Sequence, residues 1–154
     1  MPSTCHKEIE RKFLLTKAPE GLDRLPCSLV AQGYLADAPN IVRLRSYDGQ
    51  TFQLTVKHGR GIVRDEGEID LTREQFAALW PFTAGRRLQK TRYRIPVGRH
   101  TIDLDIFEGA HSGLIIAEVE FADEPECHGF SPPDWFGAEV TRDQRFANHT
   151  LAVE

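Results

Sequence analysis

The 154-residue chain is 40% hydrophobic and 27% charged, with a formal net charge of −4, the proportions of one globular domain spanning 1–154. The negative balance excludes a general nucleic-acid binder, which needs a strong basic excess, but leaves room for a local basic pocket. No run approaches the roughly 20 apolar residues of a membrane helix. The charged stretch leading to Lys12 does not read as a secretory leader, so the expectation is a cytoplasmic protein with no membrane partner.

The dominant rhythm has period two, the signature of half-buried strands. It runs through residues 7–15 (KEIERKFLL), 28–36 (SLVAQGYLA) and 41–47 (IVRLRSY). Asp48-Gly49 then joins that last run to 51–57 (TFQLTVK) as a hairpin turn. Gly59-Arg60-Gly61 leads into 62–71 (IVRDEGEIDL). The period then changes. Thr72 to Gln75 has the capping-box pattern, with Phe76, Leu79 and Trp80 at helical spacing before a stop near Pro81. Strands resume over 86–97 and, past a turn at Gly98-Arg99, over 100–107; the last covers 113–121. The tail carries Pro125, Pro132 and Pro133, and a helix is expected from Thr141 to about Ala152 with Asp143 in its first turn. Trp80 and Trp135 read as packing residues, Tyr34 as packing more than function, and the six histidines as surface or structural groups. The three cysteines, Cys5, Cys27 and Cys127, are distant and form no CxxC, so neither a disulfide framework nor a zinc site is implied.

About eight short antiparallel strands with hairpin turns and few helices predict a mainly β barrel or sandwich. Alternation divides each strand into two faces. Glu8, Glu10 and Lys12 oppose Ile9, Phe13 and Leu15; Arg43 and Arg45 oppose Val42 and Leu44. Arg64, Glu66 and Glu68 share a face, as do Lys90, Arg92 and Arg94, Asp103 and Asp105, and Glu118 and Glu120. An open sheet wet on one side gives the same alternation. Here, however, the polar positions are nearly all fully charged, and acidic pairs recur at i and i+2. Such pairs stand about 7 Å apart and repel unless a counter-charge intervenes. If this face curls inward, the interior must be wet and charge-compensated, because desolvating one ion costs several kcal/mol even after relaxation. Clustered carboxylates suit a hard divalent cation such as Mg²⁺ or Mn²⁺. Clustered Arg and Lys suit phosphate oxygens.

Glu8-Ile9-Glu10-Arg11-Lys12 forms an ExExK string. Arg43-Leu44-Arg45, Lys57, Glu66 and Glu68, Lys90 and Arg92, Asp103 and Asp105, and Glu118 and Glu120 follow on successive strands. In this order the chain resembles the CYTH family, the triphosphate tunnel metalloenzymes, along essentially its whole length. The Gln32-Gly33-Tyr34-Leu35 strand and the Val140 to Arg145 segment are similar to its small bacterial branch. The resemblance implies an eight-stranded antiparallel β-barrel tunnel with a charged interior, helices packed outside and a C-terminal helix plugging one mouth. It implies hydrolysis of a small-molecule triphosphate with Mg²⁺ or Mn²⁺; the sequence leaves the oligomeric state open between monomer and homodimer. By position, Glu8, Glu10, Glu118 and Glu120 look like metal ligands. Lys12, Arg43, Arg45, Lys57, Lys90 and Arg92 look like phosphate contacts, with Arg145 reaching inward from the tail. Glu66, Glu68, Asp103 and Asp105 would hold a second metal, position the water or orient the basic residues. The family's substrates include inorganic triphosphate, thiamine triphosphate, RNA 5′-triphosphate ends and ATP for cyclisation. With no base-stacking platform evident, the expectation is inorganic triphosphate; adenylate cyclase or thiamine triphosphatase activity is the alternative. A non-hydrolytic polyphosphate or nucleotide binder and a purely structural charged module are the readings from other classes.

Overall fold

The computed structural model describes residues 3–59 and 62–153; Arg60 and Gly61, part of the expected entry to the fifth strand, lie outside them. The strands are β1 (Ser3–Leu15), β2 (Cys27–Ala36), β3 (Asn40–Tyr47), β4 (Thr51–His58), β5 (Val63–Leu71), β6 (Arg87–Val97), β7 (His100–Phe107) and β8 (Ile115–Glu120). They close into a barrel in the order β1-β5-β4-β3-β2-β6-β7-β8, every pair antiparallel. Closure depends on β1 being long enough to serve two neighbours. Ser3 to Ile9 pairs with β5, and Glu10 to Leu15 pairs with β8. The hand-over falls inside the ExExK string, where the Glu10 amide donates to Ile62 O at 3.2 Å and the Phe121 amide donates to Ile9 O at 2.8 Å. The Asp48-Gly49 hairpin forms as expected, with both residues at positive φ, 55° and 65°, and Asp48 Oδ1 accepting from the Leu29 amide at 2.7 Å.

The outward faces of β1, β7 and β8 are packed, not wet. Ile9, Leu15, Ile102, Leu104, Ile115, Ala117 and Val119, on the outside of β1, β7 and β8, form one apolar cluster with Phe121 and Cys127. Each of the Val, Leu, Ile and Phe side chains contributes roughly 1.5–3 kcal/mol when fully buried. A helix absent from the sequence reading, α2 (Glu124–Gly129), covers this cluster together with Phe130, Trp135 and Phe136. Its start was legible: Asp123 accepts from the Glu126 amide at 2.8 Å, with Pro125 in the first turn. On the other side lies the mid-chain helix α1 (Arg73–Leu79), held by the expected capping box between Thr72 and Gln75. Phe76 packs between Phe52 and Trp80, with ring centroids at 4.8 and 5.0 Å. The turn after α1 brings Thr83 so close to β2 that a Cβ on Gly33 would lie 2.6 Å from Thr83 Cβ; only glycine fits there.

The C-terminal segment enters the barrel. Leu151 and Ala152 pack with Leu14, Tyr34, Leu88, Phe107 and Ile116, residues on the inward face of their strands, and so stopper one end with hydrocarbon. The continuous helix expected from Thr141 to Ala152 is instead a short turn (Gln144–Phe146) and one four-residue helix, α3 (Asn148–Leu151). One local contact and one extended residue divide it. Asp143 captures both the amide and the guanidinium of Arg145. Ala147 stays extended, at φ −68° and ψ 136°. Among the described residues no helix is long and apolar enough to cross a membrane.

Candidate active site

The inward faces of the strands enclose a polar cavity of about 310 Å³. Among the sequence-predicted residues, Glu8, Glu10, Lys12, Arg43, Arg45, Lys57, Glu66, Glu68, Arg92, Asp103, Glu118 and Glu120 line it. Register explains most of their pairing. Glu8 stands opposite Arg64, Lys57 opposite Glu66, Lys12 opposite Glu118, and Arg92 opposite Asp105. Lys57 Nζ reaches Glu8 Oε2 at 2.9 Å, and Arg64 Nη2 reaches Glu8 and Glu10 at 3.1 and 3.0 Å. Glu118 is approached by Lys12 at 3.7 Å and Arg92 at 3.8 Å. Despite its burial, the nearby Lys12 and Arg92 charges hold its carboxyl well below the usual range.

Two groups are left short of opposite charge. The first is acidic. Glu10 and Glu120 are direct cross-strand neighbours of like sign, an arrangement that destabilises a sheet. Burial, then the charges of Glu118 and Glu8, pushes the Glu10 carboxyl up. Burial, then Glu8 and Glu10, does the same for Glu120. The second is basic. Arg43 and Arg45 are each 7% exposed, and the ion pairs formed among the described residues include neither. Arg45 donates to Gln32 Oε1 at 3.0 Å and to the Tyr47 hydroxyl at 3.1 Å. Burial, then repulsion from Arg43 and Arg92, lowers its pKa. Arg43 donates to Thr55 Oγ1 at 3.2 Å, and its Nε is buried with no partner. Burial raises the Tyr47 hydroxyl, but the Arg45, Arg92 and Arg43 charges outweigh it and bring it down.

Three predicted residues lie elsewhere. Asp105 and Lys90 are both fully buried and form a layer beneath the cavity floor. Asp105 takes Arg92 Nε at 2.7 Å, Arg92 Nη2 at 2.9 Å and Lys90 Nζ at 2.7 Å. Its lone pairs are thus committed to protein cations, which leaves Asp103 as the β7 carboxylate on the cavity. Lys90 also donates to Asn148 Oδ1 at 3.1 Å, so it braces the C-terminal stopper, and it does not line the cavity. Arg145 does not reach inward: its side chain is 81% exposed and bound to Asp143 at 2.7 Å.

The cavity also includes residues outside the predicted set. Arg64, Arg94, Gln53 and Tyr47 line it, and alternation signalled all four, since each lies two residues (four for Gln53) from a predicted one on the same strand. His6 and His149, expected to be surface or structural groups, line it too; the placement of His149 depends on the fold of the tail, which no periodicity reveals. Tyr34 both lines the cavity and packs, its hydroxyl accepting from Gln32 Nε2 at 2.9 Å.

As they stand, no three His, Cys, Asp or Glu groups among the described residues already enclose a cation. The chemistry of the acidic set nevertheless fits one: hard oxygen donors, clustered, mutually repelling and short of positive charge. A closed tunnel with one wall short of cations and another short of anions defines a protein built to hold a polyanion and a metal ion together.

Comparison with known proteins agrees. No family sequence model matches the chain. An inorganic triphosphatase of Nitrosomonas europaea is 43% identical over 150 residues, covering 95% of this chain and 97% of that protein. One from Acetivibrio thermocellus is 35% identical over 149 residues, covering 94% and 92%. The crystal structure of the inorganic triphosphatase NE1496 superposes with a TM-score of 0.69 at 40% identity, covering 96% of this chain and 95% of that one. The Hippeastrum protein HpAC1, at 16% identity and a TM-score of 0.57 over 79% of this chain and 83% of its own, shares the fold. The chain belongs to the CYTH family, the triphosphate tunnel metalloenzymes.

Proposed function

We propose that this triphosphatase hydrolyses inorganic triphosphate inside the tunnel, with Mg²⁺ or Mn²⁺ held at Glu10 and Glu120 and flanked by Glu8 and Glu118. The carrying observation is the pair of buried guanidiniums, Arg43 and Arg45, that face the cavity without a carboxylate. Burying such charges is strongly unfavourable unless an anion compensates them. Phosphoryl transfer needs positioning and charge neutralisation more than covalent chemistry. Arg43, Arg45 and Arg92 would clamp phosphate oxygens, with Asp105 fixing the Arg92 fork from below. Lys12 and Lys57 would complete the cradle from β1 and β4. The bound divalent cation supplies Lewis-acid neutralisation of phosphate oxygens. Glu68 is half-buried and accepts from Thr55 Oγ1 at 3.0 Å; this carboxylate would orient the attacking water and accept its proton at the second oxygen.

Inorganic triphosphate is favoured over nucleotides and thiamine triphosphate for two reasons. Both tyrosine hydroxyls on the cavity are engaged in hydrogen bonds, and the C-terminal stopper fills the apolar end where an organic moiety would sit. The proposal carries with it a cytoplasmic monomer or homodimer with no nucleic-acid or membrane partner, consistent with the net charge of −4. The test is phosphate release from tripolyphosphate, ATP and thiamine triphosphate, with and without Mg²⁺ or Mn²⁺, alongside cyclic AMP detection. Metal-dependent release that is fastest on tripolyphosphate is expected. Cyclic AMP formation, or no turnover of tripolyphosphate, would overturn it.

A further inference from the structure

Arg64 sits where a metal ion would be expected. It faces Glu8 across the β1–β5 ladder, and one nitrogen, Nη2, spans Glu8 Oε1 at 3.1 Å and Glu10 Oε1 at 3.0 Å. A single cationic atom thus bridges two carboxylates of the acidic set. The rest of the guanidinium is not fastened down, since its Nε is buried with no hydrogen-bond partner. Arg92 differs, being locked by two parallel bonds to Asp105. Arg64 also has somewhere to go. It lines the tunnel and, in addition, an adjoining cavity of about 640 Å³ whose other walls include Asp37, Thr141 and Asp143. Like charges a few ångströms apart repel strongly in a partly dry site, so a divalent cation bound at Glu10 and the present position of Arg64 exclude one another.

We infer that Arg64 is the resident counter-ion of the metal site. It holds Glu8 and Glu10 together in the metal-free protein and swings into the adjoining cavity when the divalent ion binds. Arg64 is thus a positioning residue that sets metal affinity. The inference rests on the reading that Glu8 and Glu10 belong to the metal site, and the test requires no substrate.

Mn²⁺ is titrated calorimetrically into the wild type, Arg64→Met and Glu10→Gln, and melting temperature is followed with and without Mn²⁺. Arg64→Met should bind Mn²⁺ on the order of tenfold more tightly, because the competing cation is gone. It should melt lower than the wild type without metal, and Mn²⁺ should raise its melting temperature by more. Unchanged or weaker binding by a folded Arg64→Met would overturn the inference; if Glu10→Gln still abolishes binding, the metal reading survives. Absence of Mn²⁺ binding in both the wild type and Arg64→Met would overturn both. Should Arg64→Met fail to fold, a crystal structure of the Mn²⁺-bound wild type decides. A guanidinium moved away from both carboxylates supports the inference, and one still bridging them refutes it.

Discussion

Asp105 is the clearest place to test whether the charged layers of the tunnel hold one another in place. It is fully buried and is the shared acceptor for Arg92 and Lys90. Asp105→Asn keeps the shape and removes the carboxylate charge that Arg92 and Lys90 share. Removing one partner of a buried ion pair costs roughly 3–5 kcal/mol, and in a domain of this size each kcal/mol moves the melting temperature by about 2–4 °C. A fall of about 10 °C is therefore expected in calorimetric or fluorescence melts. The sign of its pH dependence follows from Lys90. Burial, only partly offset by Asp105, brings its pKa down from 10.5 to about 7. The folded state then carries fewer protons than the unfolded chain between those values, and stability from this group rises with pH across that window. Without Asp105 the amine is harder still to protonate in the fold, so the deficit of the variant should be larger at about pH 6 than at about pH 8. Lys90→Met should flatten the wild-type rise with pH above neutrality. A melting temperature for Asp105→Asn within about 2 °C of wild type, at either pH, would refute this reasoning.

Glu120→Gln should abolish metal-dependent turnover yet raise the melting temperature in chelator. The folded carboxyl of Glu120 has its pKa raised above 4.5 by burial and by Glu8 and Glu10, so its ionisation opposes folding. The gain should be present at neutral pH and vanish as pH falls below the unfolded value. Arg43→Ala should raise KM and lower kcat together, on the order of tenfold or more in kcat/KM for a lost charged contact; unchanged steady-state kinetics would remove Arg43 from the phosphate clamp. Glu68→Gln should lower kcat by roughly 10²-fold or more, the usual scale for a general base, with little change in KM. A KM effect alone would make Glu68 a binding group.

Alternation along the strands revealed the face of each charged residue, and with it the closed tunnel and most of the cavity lining. Two things were hidden. The first is depth: Lys90 and Arg92 share a face and differ by two residues, yet one lies under the floor and the other on it. The second is register. Like-charged pairs within a strand pointed to an intervening counter-charge, and cross-strand partners supply it for many of them. Glu8 has Lys57 and Arg64, Glu118 has Lys12 and Arg92, and Asp105 has Arg92 and Lys90. Glu10 with Glu120, and Arg43 with Arg45, remain under-compensated, and this marks the two halves of the proposed site more sharply than the pattern could. Arg145 was misplaced because the capture of its guanidinium by Asp143, two residues earlier, outcompeted a longer helix.

The most direct test of the central claim is a crystal structure with tripolyphosphate bound in the presence of a divalent cation that does not support turnover. The account predicts phosphate oxygens on Arg43, Arg45 and Arg92, with the cation between the anion and the Glu10–Glu120 wall. A triphosphate bound on the outer surface, with the tunnel holding only water, would contradict it.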